Sequence, residues 1–184
     1  LAGQAPCLRT LLSSNVSFQM SVLTLFPKKP RVSEVKLSRD YSFMYENFVL
    51  LTQHAAYLLL EKNDDVILAL HFDSPYSKYC GPNDEAHGGH PLAKYGLGFY
   101  GLFEVENSPW IEEMMVANRI HPRHSNSLFA GYKHYVACFK DIKFESVCRN
   151  MKEVALSKND LEALVAAELR NLRSEEHTSE LQSR

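Results

Sequence analysis

The chain has 184 residues, a formal net charge of −2 and 45% hydrophobic residues, which suits a globular protein with one hydrophobic core. A near-neutral charge gives no reason to expect nucleic acid as a partner. No apolar run is long enough to cross a membrane. The four cysteines form no disulfide framework, so the sequence favours the reducing cytoplasm as the location.

Both ends of the chain look foreign to the domain between them. Residues 173–184, RSEEHTSELQSR, resemble the translation of a common short-read sequencing adapter along their whole length. Residues 1–19 precede Met20 and carry polar side chains that interrupt any secretory signal. We therefore expect a non-native leader over 1–19 and a disordered, adapter-derived tail over 173–184. Between them we expect a single domain over 20–172, truncated at its C-terminus if the adapter interrupts the gene.

Strand signals are spread through this domain. Residues 47–53 and 55–61 are so apolar that two strands or one helix would fit them. Strands are favoured, because the turn signal Asn63-Asp64-Asp65 and a run of strand formers after it complete a hairpin. A long polar loop is predicted over 73–97. The predicted strands are 32–38 (at an edge), 47–53, 57–62, 66–73, 99–106, 134–139 and 142–148.

Two helices are predicted, and the first has the clearer boundaries. Ser108 is its N-cap and Pro109 takes the first helical position, where a missing N–H is harmless. It ends before Pro122, since the residue preceding a proline is pushed out of helical geometry. The second helix is predicted over 157–172 with Asn159 as its cap. The expected fold is α+β, with a mostly antiparallel sheet of about six strands and two helices.

Several short motifs follow one another in the second half of the domain. They are GPNDEA at 81–86, GHPL at 89–92, SPWI at 108–111, HPRH at 121–124 and FE at 144–145. In this order they resemble an uncharacterised bacterial family with the pattern G-P-x-N-D-E-A, G-H-P-L, S-x-W-I and H-P-x-H. The resemblance covers about residues 72–147 and implies no activity. Cys80 and His87 lie outside the family's pattern, which weakens both as ligand candidates.

The polar stretch 71–92 suggests a metal site as a first hypothesis. Imidazole, thiolate and carboxylate groups are the usual ligands of zinc and related metals. The spacing of Cys80, His87 and His90 matches no standard zinc module, and ordinary loop histidines are the simpler interpretation. We therefore expect no cofactor. The weak metal candidates are His87, His90 and His121, with His124 and Asp84 as alternative ligands beside them.

A hydrolase without a metal is the second hypothesis. Asp84 or Glu85 would act as the base and His90 or His121 as its partner, because general acid–base catalysis needs a titratable pair within hydrogen-bond reach. The competing interpretation is structural: Asn83 and Asp84 cap the turn, and Glu85 starts a short helix. Convergence of these groups in one concave pocket would indicate the enzyme.

A binding role without turnover is the third hypothesis, and the sequence favours it. Aromatic side chains with a few fixed polar groups make good recognition surfaces. Trp110 could instead fix its helix to the sheet, and His134 is interpreted as a satisfied core or edge histidine rather than a ligand. The exposed aromatic candidates are Trp110, Tyr76, Tyr79, Tyr95 and Tyr100. The expected partner is a protein, with no nucleic acid and no membrane. The candidate binding residues are Asn83, His90, Trp110, His121 and His124.

Overall fold

The computed structural model shows an α+β protein, and the predicted antiparallel character of its strands is confirmed. The expected leader over 1–19 and the adapter tail over 173–184 lie outside the described residues. The prediction of about six strands in one sheet is wrong, because the described part of the chain contains nine strands in two sheets. The structure describes residues 28–44, 48–52, 54–73, 76–80 and 83–171.

The strands divide into a five-stranded and a four-stranded sheet. In chain order they are β1 Arg31–Glu34, β2 Phe48–Leu51, β3 Ala55–Asn63, β4 Val66–Asp73, β5 Tyr76–Cys80, β6 Gly101–Glu106, β7 Lys133–Cys138, β8 Lys143–Cys148 and β9 Asn150–Ser157. The five-stranded sheet has the order β1-β6-β7-β8-β5, and the four-stranded sheet has the order β2-β3-β4-β9. All the pairings are antiparallel.

The predicted hairpins β3–β4 and β7–β8 are confirmed, whereas two strands were missed. β5 lies inside the predicted loop over 73–97, and β9 follows β8 directly. Neither has a strong hydrophobic alternation of its own. β5 is a strand because it pairs with the edge of β8, and β9 is a strand because it pairs with β4 along its whole length. Long-range pairing therefore overrides weak local propensity in both.

The two sheets pack face to face around the main core. Phe72 of β4 contacts Tyr135 of β7 and Phe144 of β8, with ring centroids 6.0 and 5.4 Å apart. Full burial of each large apolar side chain stabilises the fold by about 1.5–3 kcal/mol. The buried members of this core are Phe43, Ala56, Leu58, Leu70, Phe72, Leu102, Tyr135, Ala137, Phe139, Phe144 and Cys148.

The outer face of the five-stranded sheet is also covered. Successive side chains of a strand point to opposite faces, so Val136 and Cys138 face away from the main core. They pack with Phe103 against the polar stretch, which folds into two short 3-10 helices, Asp84–Gly89 and Ala93–Tyr95. Leu92 and Leu97 provide the apolar contacts of that stretch. Residues 83–97, the later part of the segment predicted as a loop, are therefore a layer that covers one face of the sheet.

Helix α1, Pro109–Asn118, begins as predicted, because the Ser108 hydroxyl accepts a hydrogen bond from the backbone N–H of Ile111 at 3.2 Å. This bond satisfies one of the N–H groups that a helix N-terminus leaves unpaired. The helix ends at Asn118, before the predicted limit. No α1 residue is fully buried, so the helix lies on the surface of the five-stranded sheet.

Helix α2, Lys158–Asn171, begins one residue later than predicted, and its cap is Ser157 rather than Asn159. The Ser157 hydroxyl accepts from the N–H of Asp160 at 3.1 Å, and Asp160 accepts from the N–H of Ser157 at 2.8 Å. This reciprocal arrangement is a capping box with Asp in the third position. Neither described helix is long and apolar enough to cross a bilayer.

Candidate functional site

Strand register assembles a polar cluster on the outer face of the five-stranded sheet. Glu145 of β8 lies directly opposite Lys78 of β5 on one side and Val136 of β7 on the other. His134 is two residues before Val136, so it points to the same face of the sheet. Three polar side chains that are far apart in sequence, Lys78, His134 and Glu145, therefore meet because the sheet has a two-residue period.

Glu145 is the centre of this cluster and is only 2% exposed. Its Oε2 accepts from His134 Nε2 at 3.0 Å, and its Oε1 accepts from Lys78 Nζ at 3.1 Å and from His90 Nε2 at 3.3 Å. Burial alone would raise the pKa of Glu145. The hydrogen bonds from His134 and His90 and the charge of Lys78 outweigh burial and hold its pKa well below the usual range. The site therefore contains a buried carboxylate that is ionised at neutral pH.

His134 connects this carboxylate to the start of α1. Its Nδ1 lies 2.8 Å from the Ser108 hydroxyl oxygen, and both side chains are buried. Because that oxygen already accepts from the N–H of Ile111, its proton is available to donate to His134 Nδ1. His134 Nε2–H then donates to Glu145. The edge-to-face contact of Trp110, with ring centroids 5.4 Å apart, completes the packing around His134.

His90 enters the cluster from the covering layer. It follows the first 3-10 helix, and its Nδ1 accepts from the backbone N–H of Leu92 at 3.2 Å. Its Nε2–H is therefore directed at Glu145. Leu92, two residues after His90, is buried in the apolar layer, and the ring of Pro91 between them restricts the backbone. The backbone bond and the anchoring of Leu92 fix the orientation of His90.

A cavity of about 140 Å³ lies beside the cluster, and we name it the Trp110 pocket. The charged side chains at the pocket are Lys78, Glu113 and Glu145, of which Glu145 is buried and Glu113 is exposed. The Lys78 ammonium lies 4.6 Å from the centroid of the Trp110 ring, within the range of a cation–π interaction. The other side chains that line the pocket are His90, Pro91, Leu92, Pro109, Trp110 and His134.

Two larger hollows, of about 550 and 600 Å³, lie elsewhere on the surface. The first lies along residues 34–44, beside Tyr100. The second lies on the other side of the α1 N-terminus and includes the exposed Lys133–Glu104 ion pair. Neither hollow is lined by His90, His134 or Glu145. The convergence of buried polar groups therefore marks the smaller Trp110 pocket as the candidate site.

Two of the predicted candidates, Asn83 and His87, form a separate buried network. Asn83 Nδ2 donates to the carbonyls of Phe99 and Phe139 at 2.7 and 2.6 Å. The Asn83 Oδ1 lies 3.0 Å from His87 Nδ1, and His87 Nε2 lies 2.9 Å from the carbonyl of Leu97. Because most of these contacts are to the backbone, the network holds the covering layer to the end of β7.

The remaining candidates lie outside the Trp110 pocket. Asp84 accepts a hydrogen bond from the Tyr100 hydroxyl at 2.6 Å, and Glu85 is exposed. His121 is exposed, and its Nδ1 accepts from the N–H of Arg123 at 3.1 Å. His124 lies between the side chains of Asn118 and Asn126, at 2.9 and 3.0 Å. Of the predicted site residues, only His90 and Trp110 line the pocket.

Sequence reasoning missed the four polar residues that complete the site: Lys78, Ser108, His134 and Glu145. Lys78 fell in the predicted loop, and Ser108 was assigned only its capping role. His134 was interpreted as a satisfied core or edge histidine, and Glu145 appeared only as the end of a motif. For two of them a signal was available: His134 and Glu145 lie within short segments rich in apolar residues that were predicted as a hairpin, and charged residues are rarely buried there without a partner.

Within the described residues, no group of three or more His, Cys, Asp and Glu side chains is arranged to hold a metal ion. No protein-family model, curated protein or solved structure matches this chain. The function is therefore inferred from the chemistry of the site itself.

Proposed function

We propose that this protein is a binding protein, and that the Trp110 pocket receives a single side chain of a protein partner. The observation that carries this proposal is the size of the pocket. Pockets for drug-sized ligands have volumes of roughly 300–1,000 Å³, whereas this one has about 140 Å³. A volume of this order suits one side chain. Interfaces often concentrate their binding energy in such small pockets, where an anchor residue is fully desolvated.

The chemistry of the walls supports the same function. Trp110, Pro91 and Pro109 lose little conformational entropy when a partner binds, because their side chains have few rotatable bonds. The polar groups behind them already have partners, because His90 and His134 each use both ring nitrogens in hydrogen bonds. Such a pocket is rigid before the partner arrives, which is what an anchor site requires.

A hydrolase is the second candidate, and the hydrogen-bonded chain Ser108–His134–Glu145 favours it. A hydroxyl, an imidazole and a carboxylate in this order are the parts of a nucleophile activated by an oriented base. Two features weigh against it. The Ser108 hydroxyl is buried and caps α1, and the next residue, Pro109, has no N–H to stabilise an oxyanion. A serine-directed fluorophosphonate probe tests this candidate, because labelling at Ser108 would support it over the binding function.

The proposed function is tested by selecting a random peptide library displayed on phage against the immobilised protein. We expect a peptide consensus that binds the wild-type protein and is lost with Trp110→Ala and with Glu113→Arg. Glu113→Arg changes only an exposed side chain at the pocket, so loss of binding in this variant is not explained by unfolding.

The matched control for this selection is Leu169→Ala, which removes an exposed apolar side chain from α2. Binding of the selected peptides to this variant should equal binding to the wild-type protein. If no consensus emerges, or if the selected peptides bind Trp110→Ala and Glu113→Arg as well as the wild-type protein, the proposed function is wrong.

A further inference from the structure

We propose that the side chain received by the Trp110 pocket is the alkylammonium group of a partner lysine, and that Lys78 occupies its place in the free protein. This inference rests on the proposed function and names the chemistry of the group that is bound. Lys78 would then be an internal competitor, which the partner displaces.

The contacts of Lys78 reveal what the site recognises. Its ammonium is 3.1 Å from the Glu145 carboxylate and 4.6 Å from the centroid of the Trp110 ring. A carboxylate binds an ammonium through a charge-assisted hydrogen bond, and an aromatic face binds it through a cation–π interaction. The protein thus already holds one primary ammonium between Glu145 and Trp110, and a partner lysine carries the same group.

The charge at the pocket points to the same ligand class. The pocket is lined by two carboxylates, Glu145 and Glu113, and by one lysine, Lys78. The pocket therefore has a net negative charge when its histidines are neutral, and an additional or replacing cation is attracted to it. An anionic side chain would be repelled by both carboxylates.

Lys78 is able to move away from Glu145 because its side chain reaches solvent. Its side chain is 47% exposed, whereas that of Glu145 is 3% exposed. β5 is an edge strand that pairs with β8, so the Lys78 stem has solvent beside it. An uncompensated buried charge is strongly destabilising. When a partner ammonium replaces that of Lys78, the buried Glu145 carboxylate again has a cation beside it.

The experiment is a titration of the protein with n-butylammonium chloride at constant ionic strength and neutral pH. Trp110 is the single tryptophan of the chain, so its indole N–H signal in a ¹H–¹⁵N spectrum and its fluorescence both report on this pocket. The neutral control ligand is 1-pentanol and the anionic control is pentanoate, both of similar length.

We expect a weak, saturable shift of the Trp110 signal with n-butylammonium and none with the two control ligands. In Lys78→Met, which removes the competing cation, binding of n-butylammonium should be about tenfold tighter, because the ion pair and the cation–π contact of Lys78 no longer compete. Lys78→Arg retains a competing cation, so its affinity should stay as weak as that of the wild type.

The inference is overturned if n-butylammonium produces no saturable shift in Lys78→Met, or if 1-pentanol or pentanoate binds as tightly. A peptide consensus that depends on Trp110 but contains no lysine would also overturn it, while leaving the proposed binding function intact. If the selection gives no peptide consensus and n-butylammonium gives no shift, both the proposed binding function and this inference are wrong.

Discussion

Two buried histidine networks lie on the same face of the five-stranded sheet, and they differ in their partners. His87 and Asn83 bind mainly backbone carbonyls, at Leu97, Phe99 and Phe139. His134 and His90 instead bind the carboxylate of Glu145, beside a cavity. The first network contains no carboxylate and fixes one chain segment to another. The second network contains a buried carboxylate beside a cavity.

The partner of a buried histidine, rather than the histidine itself, therefore indicates its role. Backbone carbonyls cannot move without the chain segments that carry them, so a histidine bound to them holds one segment to another. A buried carboxylate is costly to desolvate unless other groups compensate it. When such a carboxylate lies next to a cavity, a binding role is the stronger hypothesis. Variants in each network distinguish these two roles.

The largest effect is expected for Glu145→Ala. Removal of this carboxylate leaves His134 and Lys78 without their shared acceptor and opens a void. The free energy of unfolding should fall by about 3–5 kcal/mol, as for other broken buried ion pairs. Urea denaturation measures this change. The matched control is Glu162→Ala, whose solvent-exposed ion pair with Lys158 on α2 should contribute far less to the free energy of unfolding. Equal effects of the two variants would contradict a special role for Glu145.

Asn83→Ala should destabilise the protein by about 2–3 kcal/mol, because it leaves the carbonyls of Phe99 and Phe139 and the buried His87 ring without their shared partner. The affinity of the Trp110 pocket for n-butylammonium should not change, since Asn83 does not line the pocket. Urea denaturation and the Trp110 indole signal measure the two quantities. A loss of binding without unfolding would show that the Asn83–His87 network is coupled to the Glu145 network and would contradict the separate roles given to them.

Ser108→Ala should cost about 2 kcal/mol, because it removes both the α1 cap and the hydrogen bond to His134. Ser157→Ala is the matched control, as Ser157 caps α2 but lies outside the polar network. That variant should cost about 1 kcal/mol. Thermal or urea unfolding of the pair gives the difference. Identical costs would mean that the Ser108–His134 bond contributes nothing to stability.

The stability contributed by Glu145 should depend on pH in a defined direction. Its folded-state pKa is depressed, so its contribution is fully present above the unfolded-state pKa of about 4.3 and is lost as the pH falls below it. The difference in unfolding free energy between the wild type and Glu145→Gln should therefore shrink by about 1.5 kcal/mol between pH 5 and pH 3. A difference that grows as the pH falls would refute this assignment.

The smallest effect is expected for Lys78→Met. Because half of the Lys78 side chain is exposed, its ion pair with Glu145 should contribute less than about 1 kcal/mol to stability, and His90 and His134 still compensate the carboxylate. Urea denaturation measures this change against Glu145→Ala. A cost as large as that of Glu145→Ala would mean that Lys78 is a permanent member of the network rather than a displaceable one.

Local signals in the sequence were sufficient for part of the fold and the site. The cap at Ser108 with Pro109 after it, and the β3–β4 and β7–β8 hairpins, depend on residues close together in the chain and were predicted. His90 and Trp110 were selected because they lie in or beside a polar, motif-rich stretch. Asp84, Glu85, His121 and His124 were selected for the same reason, yet they do not line the pocket. Residue type and density did not distinguish the two groups.

By itself, the sequence determined which segments could be helices and strands, because capping, turn chemistry and hydrophobic period act over a few residues. It also determined that the protein is α+β. Only the tertiary structure decided that β5 and β9 are strands and that Lys78, His134 and Glu145 meet. The physical reason is strand register: a shift of one residue in any of these pairings would turn each side chain to the opposite face of the sheet.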